Sequence, residues 1–307
     1  MDVRQLSYVL AVADEGTFTR AAEVLRISQP SLSQGIRSLE AELGVELFER
    51  RARPVRLTSA GEALLEPARR AVRDLDTARA AVDAVAGLDR GHLDLVSLPT
   101  LSIDPVAELI GRFRLAHPGV VVRLREPDDA ESVATLVRSG AGELGACDLP
   151  LSDPSGLVAH RLADQGYRVV LPPRQRLVAD TAVPMGLDVL AELPLVTTPP
   201  GTSTRGALDQ VLAAIGRTPL VAVETELRES VVPLVLAGAG AAFVPDGLAD
   251  SARRRGATLV QLDHPIVRHV GLIHLDGGLS PAAAAFLTLA LPDRPRARPR
   301  RPRSRHR

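Results

Sequence analysis

The chain has 307 residues, 45% of them hydrophobic, and a formal net charge of +0, so it is long enough for more than one packed domain. All 37 basic residues are arginines, which excludes a P-loop lysine, a pyridoxal phosphate Schiff base and a Ser-Lys nucleophile pair. The single cysteine, Cys147, excludes a disulfide within the chain. We found no signal-peptide pattern, and no apolar run approaches the ~18 residues of a spanning helix. We therefore expect a cytoplasmic protein that does not bind a membrane.

Three short helices are predicted at the N-terminus. The first runs from about Val3 to Glu15 and ends at Gly16, and Thr17 and Ser28 cap the second and third. Their apolar stripes are Leu6, Val9, Leu10 and Ala13, then Phe18, Ala21, Ala22 and Leu25, then Leu32, Ile36, Leu39 and Leu43.

The third helix is predicted to carry a polar face opposite its apolar stripe, with Pro30, Ser33, Gln34 and Arg37. A short helix of this kind, joined to its neighbour by a tight turn, is typical of the DNA-reading half of a helix-turn-helix. The alternative is an ordinary surface helix whose polar side chains are only solvated.

After Gly44, two short strands around an arginine-bearing tip predict a wing. We expect Ser33, Gln34 and Arg37 to read base edges, because glutamine and arginine offer paired hydrogen bonds to bases. Phosphates should be bound by Ser31 and by the wing arginines, Arg50, Arg51 and Arg53. Gln29 and Pro30 stand at the helix N-terminus, where backbone amides face a phosphate.

A long helix follows, opened by a capping box of Ser59 and Glu62 and ending at Gly87. Pro67 should kink it or loosen its first turns. Apolar residues recur at alternating spacings of four and three, which predicts a coiled-coil seam between two copies: Leu64, Ala68, Ala71, Leu75, Ala78, Val82 and Val85.

Beyond Gly91, strands alternate with helices, which indicates parallel sheets. Residues 131–142 recur as residues 229–240, so we predict two similar lobes. The final strand, near Val270 to His274, and the helix after Pro281 have no place in the second repeat. We expect both to return to the first lobe.

Two loops should face the cleft between these lobes, at the carboxyl ends of their strands. One contains Thr100 and Ser102, and the other contains Thr198, Thr202 and Ser203. The alternative for Thr202 and Ser203 is that their hydroxyls only cap a helix. Asp148 and Glu126 are weaker candidates nearby. We predict a small organic anion, held by these hydroxyls, by the helix N-terminus and by Arg205.

The stretch TFTRAAEVLRISQPSLSQGIRSLEAELGVELFERRARPVRLTSAGE resembles the DNA-binding signature of LysR-type transcriptional regulators, and LAGAGAAFVPDG resembles their second-lobe glycine turn. The resemblance covers about residues 1–290. It implies an α/β protein with an N-terminal winged helix-turn-helix, a long linker helix, and a two-lobed effector-binding domain similar to type 2 periplasmic binding proteins. It also implies promoter DNA, a small-molecule effector and RNA polymerase as partners, and a homodimer or homotetramer.

The predicted domains follow from these elements. They are residues 1–58 for DNA binding, 59–88 for dimerisation and 91–292 for the effector. Within the last, lobe one spans about 91–162 and 268–292, and lobe two about 163–267. Residues 293–307 hold eight arginines and one acid, a net +7 that leaves −7 elsewhere, and predict a disordered tail.

The chain departs from the family pattern at Gly145, where an aspartate is common, and in its arginine-rich tail. We predict no catalytic residue, no metal site and no cofactor, and a buried Cys147, with a redox sensor as its alternative. Two other functions remain open, a solute-binding protein and an enzyme on a two-lobed α/β scaffold. The N-terminal DNA-reading motif and the lack of a nucleophile constellation argue against them.

Overall fold

The computed structural model describes residues 1–49, 55–85, 91–173 and 183–291. The wing-tip arginines Arg50, Arg51 and Arg53 and the tail from residue 293 lie outside the described residues. In the part of the chain that is described, no helix has both the length and the apolar composition needed to cross a membrane.

The three N-terminal helices form as the sequence predicts. They are α1 (Val3–Glu15), α2 (Phe18–Val24) and α3 (Gln29–Leu43). Thr17 and Ser28 accept hydrogen bonds from the first-turn amides of α2 and α3. Gly16 ends α1 with φ 67°, a left-handed conformation that favours glycine. Local capping and apolar spacing therefore suffice to position this domain.

The apolar stripes of these helices meet in one core, with two differences from the prediction. In α1, Val12 is buried, whereas Leu10 and Ala13 are only half-buried. In α3, Leu32, Ile36 and Leu39 are buried, but Leu43 is 39% exposed. The prediction for Leu43 was wrong because α3 ends at this residue, beyond the helices against which it packs.

The predicted wing strands are confirmed as β1 (Phe48–Glu49) and β2 (Arg56–Leu57), which pair antiparallel. A buried carboxylate of α3 fixes the start of the wing: Glu40 Oε1 accepts a 2.9 Å hydrogen bond from the Leu47 amide. The wing is thus anchored directly to α3.

Helix α4 (Ser59–Val85) follows the wing and continues through Pro67. Its 27 residues correspond to a rod of about 40 Å. The predicted capping box of Ser59 and Glu62 was wrong, because Thr58 is the N-cap: its hydroxyl accepts from the Gly61 amide at 3.1 Å and its carbonyl from the Glu62 amide at 2.8 Å. The third helical position is then Gly61, which has no side chain to complete a box.

The first part of the predicted α4 seam packs within the chain. Ala68 is buried in the N-terminal core, and Leu64 packs against that core. An ion pair of 2.5 Å between Arg69 and Asp14 holds α4 on α1. The seam prediction was therefore wrong for these first turns, because α1 covers their apolar face. Further along, Ala71 and Ala78 are exposed and Leu75 is half-buried, while the side chains of Val82 and Val85 lie outside the described residues.

The first lobe contains three parallel strands in the order β4-β3-β5, namely β3 (Gly91–Ser97), β4 (Val120–Arg125) and β5 (Leu144–Leu149). A short helix α5 (Pro99–Leu101) and an irregular turn lead into α6 (Ala107–Ala116), and α7 (Ala130–Arg138) precedes β5. The predicted parallel strands are confirmed here.

The second lobe repeats this arrangement. Its strands β7 (Leu195–Thr197) and β8 (Val221–Glu224) are parallel, and a parallel bridge from Leu195 to Ala241 links β7 to β9 (Ala242–Pro245). Its helices are α8 (Leu187–Glu192), α9 (Ser203–Ala213), α10 (Val231–Leu236) and α11 (Asp246–Arg254). The order β8-β7-β9 matches β4-β3-β5, as a duplication predicts.

Two strands connect the lobes. The 15-residue strand β6 (Leu157–Leu171) pairs with β11 (Val267–Leu275) along its first part, and with β9 and with β10 (Thr258–Val260) along its last. Strand β11 also pairs with β5 of the first lobe. Helix α12 (Pro281–Ala290) packs on the same lobe, where the rings of Phe286 and Phe113 lie 5.4 Å apart.

The junction of the wing and α4 generates a stability prediction at Gly61. A Cβ atom there would lie 2.2 Å from the carbonyl oxygen of Leu47, a backbone atom that the wing holds in place. We expect Gly61→Ala to destabilise the fold by about 1–3 kcal/mol through this clash, lowering the urea midpoint followed by circular dichroism.

Gly111→Ala is the matched control, because a Cβ at Gly111, within α6, would meet no atom within 4 Å. It should leave the midpoint unchanged or raise it slightly, since alanine favours a helix by about 1 kcal/mol over glycine. Equal midpoints for the two variants would contradict the assigned clash.

Candidate DNA-binding surface and effector cleft

The exposed face of α3 is formed by Pro30, Ser31, Gln34 and Arg37. Gln29 is also exposed at the start of the helix, and the Ser31 hydroxyl lies 2.7 Å from that of Ser28. Gly35 lets the opposite side approach α1 closely, since a Cβ there would lie 2.7 Å from the ring of Tyr8. The helix is thus held by one side and presents polar side chains on the other.

Ser33 does not lie on the exposed face. Ser33 is only 6% exposed and lies beside the buried Leu32 and Ile36. The prediction that Ser33 reads a base is corrected, because a side chain turned into the domain cannot reach a base edge. One residue after Leu32, the helical rotation of ~100° leaves the side chain at the boundary of the buried face.

Two further exposed arginines lie near α3. Arg56 belongs to the arginines of the predicted wing, whereas Arg26 was not singled out from the sequence. Arg26 occupies the turn between α2 and α3 with φ 54°, a left-handed conformation unusual for a residue other than glycine. Arg56 stands on β2, at the base of the wing. Neither forms an ion pair with a carboxylate of the described residues, so both offer positive charge beside the helix.

In the cleft between the lobes, the predicted hydroxyls of lobe one have different partners. The Thr100 hydroxyl is buried and accepts a 3.0 Å hydrogen bond from Arg268 Nη1. The Ser102 hydroxyl donates to the carbonyl oxygen of Leu98, in its own turn, at 3.4 Å. Of the two hydroxyls, only that of Thr100 is hydrogen-bonded to a side chain of a strand that connects the lobes.

The hydroxyls of Thr198 and Thr202 lie 2.6 Å apart in lobe two, and both residues are buried. That of Thr202 also donates to the carbonyl oxygen of Pro199 at 3.0 Å. Although Thr202 is the N-cap residue of α9, its hydroxyl accepts no hydrogen bond from the first-turn amides. The capping alternative therefore does not describe the Thr202 hydroxyl, which instead braces the loop.

Ser203 joins the two lobes. Its amide donates to the carbonyl oxygen of Asp128 at 3.1 Å, and its hydroxyl donates to Asp148 Oδ2. A second contact is the 2.5 Å ion pair between Arg228 and Asp128. The amide and hydroxyl of Ser203, which the sequence predicted to bind an anionic effector, thus donate to carbonyl and carboxylate oxygens of lobe one instead.

The central cation of the cleft, Arg268, was missed from the sequence. It lies on β11 and is 7% exposed. It donates to Gln165 Oε1 and to Thr100, and its Nη1 lies 3.4 Å from Asp148 Oδ1. The ring of Tyr167 lies below its guanidinium, at 5.7 Å. Burial raises the pKa of Tyr167 to about 12, although the charge of Arg268 opposes the shift.

Of the two charged residues predicted near the cleft, Arg205 does contact the lobe-two loop, since its Nη1 donates to the carbonyl oxygen of Thr198 at 3.2 Å, but its charge is already paired. Arg205 pairs with Asp209 at 2.8 Å and with Glu224 at 3.4 Å, so its charge is compensated within lobe two. Glu126 is exposed just after β4. Neither residue joins the cluster of Asp148 and Arg268.

Cys147 and Gly145 are both buried in lobe one. A Cβ at Gly145 would lie 2.8 Å from atoms of Val133, Val137 and Ile273, so this position faces α7 and has no room for an aspartate. Among the described residues, no group of three or more histidine, cysteine, aspartate and glutamate side chains is arranged to hold a metal ion.

Comparison with known families identifies both parts of the chain. Residues 3–62 match the model of the bacterial regulatory helix-turn-helix protein, lysR family. Residues 86–293 match the model of the LysR substrate binding domain. The first match includes the helices and the wing strands, and the second includes both lobes.

Two curated relatives cover 95% and 81% of the chain. The HTH-type transcriptional regulator ShiR of Corynebacterium glutamicum (strain R) is 32% identical over 293 residues, which are 95% of this chain and 98% of that protein. The regulator XapR of Escherichia coli (strain K12) is 32% identical over 248 residues, 81% of this chain and 83% of that protein.

Solved structures share the fold. A full-length OxyR variant from Pseudomonas aeruginosa, with one cysteine replaced by aspartate, has a TM-score of 0.74 and 24% identity, covering 94% of this chain and 93% of that one. Full-length CbnR in complex with its target DNA has a TM-score of 0.67 and 24% identity, covering 94% and 99%.

The environment of Cys147 predicts an unreactive thiol. Burial, and secondarily the charge of Asp148, raises its pKa to about 12. At pH 8 the thiol then remains protonated, and the thiolate is the form that reacts. We expect iodoacetamide to leave the native protein unmodified, and to alkylate it fully in urea, as measured by intact mass. Rapid native alkylation would contradict this and favour the redox-sensor alternative.

Proposed function

The chain belongs to the LysR family of transcriptional regulators, and from this premise we propose that its exposed α3 face reads promoter DNA while the interlobe cleft binds a small-molecule effector. We propose that it acts in the cytoplasm and has no catalytic activity. The observation that carries the proposal is the geometry of α3, whose inner side is buried against α1 and whose outer side carries Gln34 and Arg37 beside a wing.

In the DNA-reading step, we assign base edges to Gln34 and Arg37. Both side chains are exposed on the same face of α3, and both residue types can form paired hydrogen bonds in the major groove. We assign phosphate contacts to Ser31, to Gln29 and Pro30 at the helix N-terminus, and to the wing arginines Arg50, Arg51 and Arg53. Arg26 and Arg56 extend this positive surface on the described side.

For the effector, we propose a small organic anion bound between Thr100 and Ser102 of lobe one and Thr198, Thr202 and Ser203 of lobe two. The proposal is supported by the hydrogen bonds of Ser203, which donates to a backbone carbonyl and to a carboxylate of the opposite lobe. An effector carboxylate can replace those acceptors, and such an exchange changes how the lobes meet.

We propose two surfaces for self-association. One is the outer part of α4, where Ala71, Leu75 and Ala78 continue the heptad spacing beyond the turns covered by α1. The other consists of apolar residues left exposed at the edge of each lobe, Leu115 and Val121 on lobe one and Leu220 and Leu227 on lobe two. Exposed apolar surface of this kind is typical of interfaces. One surface makes a dimer, and both together make a tetramer.

We expect Gln34→Ala and Arg37→Ala to weaken binding to the preferred DNA site by about 1–3 kcal/mol each and to reduce discrimination against altered bases. Gel-shift titrations at fixed salt with the upstream DNA of the gene and with single-base variants would measure both effects. Ser33→Ala should leave base preference unchanged, because this side chain is buried.

Arg112→Ala removes one exposed positive charge from α6 of lobe one. As a control for net charge it should leave DNA affinity unchanged. If Arg37→Ala kept full discrimination between DNA sites, the assignment of α3 as the reading helix would be wrong.

The two self-association surfaces predict distinct oligomers. Leu75→Glu places a charge in the α4 seam, and Leu115→Glu places one on the lobe edge. Sedimentation equilibrium should show a smaller oligomer for each variant than for the unmodified chain, and a monomer for the double variant. Ala63→Glu, on an exposed position of α4 outside the seam, is the control and should not change the mass. A double variant of unchanged mass would refute both surfaces.

A further inference from the structure

One carboxylate in the interlobe cleft, Asp148, is incompletely bonded. Its Oδ2 accepts from the Ser203 hydroxyl, whereas its Oδ1 is buried and accepts no hydrogen bond within the described part of the chain. A buried polar atom without a partner is unfavourable, so a ligand group that donated to this oxygen would be stabilised.

The neighbouring cation does not supply that hydrogen bond. Arg268 Nη1 lies 3.4 Å from Asp148 Oδ1, but the guanidinium is held by other acceptors. Its Nε and Nη2 donate to Gln165 Oε1 at 3.1 and 2.7 Å, and its Nη1 donates to Thr100. Gln165 is itself fixed, because its Nε2 donates to the carbonyl oxygen of Asp104 at 2.9 Å. Arg268 therefore contributes charge to Asp148 without completing its hydrogen bonds.

The arrangement of Arg268 and Asp148 determines which ligands the cleft can bind. The charge of Arg268 offsets that of Asp148, so an acid group entering the cleft does not meet an uncompensated negative charge. The unsatisfied atom is nevertheless an acceptor, and a plain carboxylate has no donor to offer it. A ligand that carries both an acid group and a donor fits both parts of the site.

We propose that Asp148 selects effectors with a hydroxyl or protonated amino group next to their acid group, and that this donor binds Asp148 while the acid group takes the donors of the Ser203 loop. The inference rests on the proposed effector cleft and adds the chemical class, small hydroxy or amino acids. Because its acid group takes the Ser203 hydroxyl, such an effector also displaces that hydroxyl from Asp148 Oδ2 and thus weakens a contact between the lobes.

Two sets of acids with a shared carbon skeleton test this selectivity on the full chain. Each set contains a plain acid, a hydroxy acid and an amino acid: succinate, L-malate and L-aspartate, then propionate, L-lactate and L-alanine. Calorimetry should show the hydroxy or the amino member of a set binding about 10- to 100-fold more tightly than the plain acid, as a hydrogen bond to a charged group implies. Preference for malate identifies the donor as a hydroxyl, and preference for aspartate as an ammonium group.

Asp148→Asn tests the residue itself. It keeps the size of the side chain and removes the charge, so the preference within a set should fall below about threefold while the plain acid binds more tightly. Glu126→Gln removes an exposed carboxylate outside the cluster and should change neither value. Thermal unfolding of each variant verifies that it is folded, and the comparison of acids on the unmodified chain needs no variant.

Equal binding of all members of a set would overturn the inference while leaving an anion-binding cleft intact. A preference that persists in Asp148→Asn would overturn the role of Asp148. If none of the six acids bound, the inference and the proposed anion class would both fail. The DNA-binding proposal would still be judged separately by the gel-shift titrations.

Discussion

The burial of a guanidinium group where the two lobes meet is the constraint on which the cleft depends. A buried charge without partners costs several kcal/mol, so Arg268 can occupy this position only if other elements provide acceptors. The acceptors are Thr100 after β3 and Gln165 in β6, and Asp148 near the end of β5 supplies the opposite charge. The polar centre of the cleft is thus a consequence of folding β11 between β5 and β6.

The same cluster makes lobe closure and effector binding compete for the same groups. Ser203 bonds to the backbone of Asp128 and to the Asp148 carboxylate, and Arg228 pairs with Asp128. An effector can shift the lobes only by the difference between its affinities for the joined and the separated arrangements. A ligand that replaces the Ser203–Asp148 contact has different affinities for the two arrangements. It can bond to Ser203 and Asp148 only after these two residues have separated from each other.

Local signals allowed much of the fold to be predicted, but the partners of buried polar groups could not be. Caps such as Thr17 and Ser28 act within one turn, so sequence is enough to identify them. Arg268 depends on residues more than a hundred positions earlier in the chain, and no spacing in the sequence indicates them. The prediction for Ser33 was wrong because the burial of a residue at the edge of a helical face depends on how closely the neighbouring helix packs. The ion pair of Arg205 could have been predicted from the sequence, because Asp209 lies one helical turn away.

Helix α4 provides the physical route between the cleft and the DNA-reading surface. Its first turns are part of the N-terminal core through Ala68 and the Arg69–Asp14 pair, so α3 and the start of α4 move as one body. Helix α12, which packs on lobe one through Phe286, also contacts α4. Lobe one is therefore in contact with the helix that carries the reader, whereas lobe two is joined to lobe one by the crossing strands and by Ser203. Loss of the Ser203 contact would leave the Arg228–Asp128 pair and the crossing strands to hold lobe two. The weaker attachment would change how the lobes are oriented, and in an oligomer it would change how the copies can be arranged on DNA.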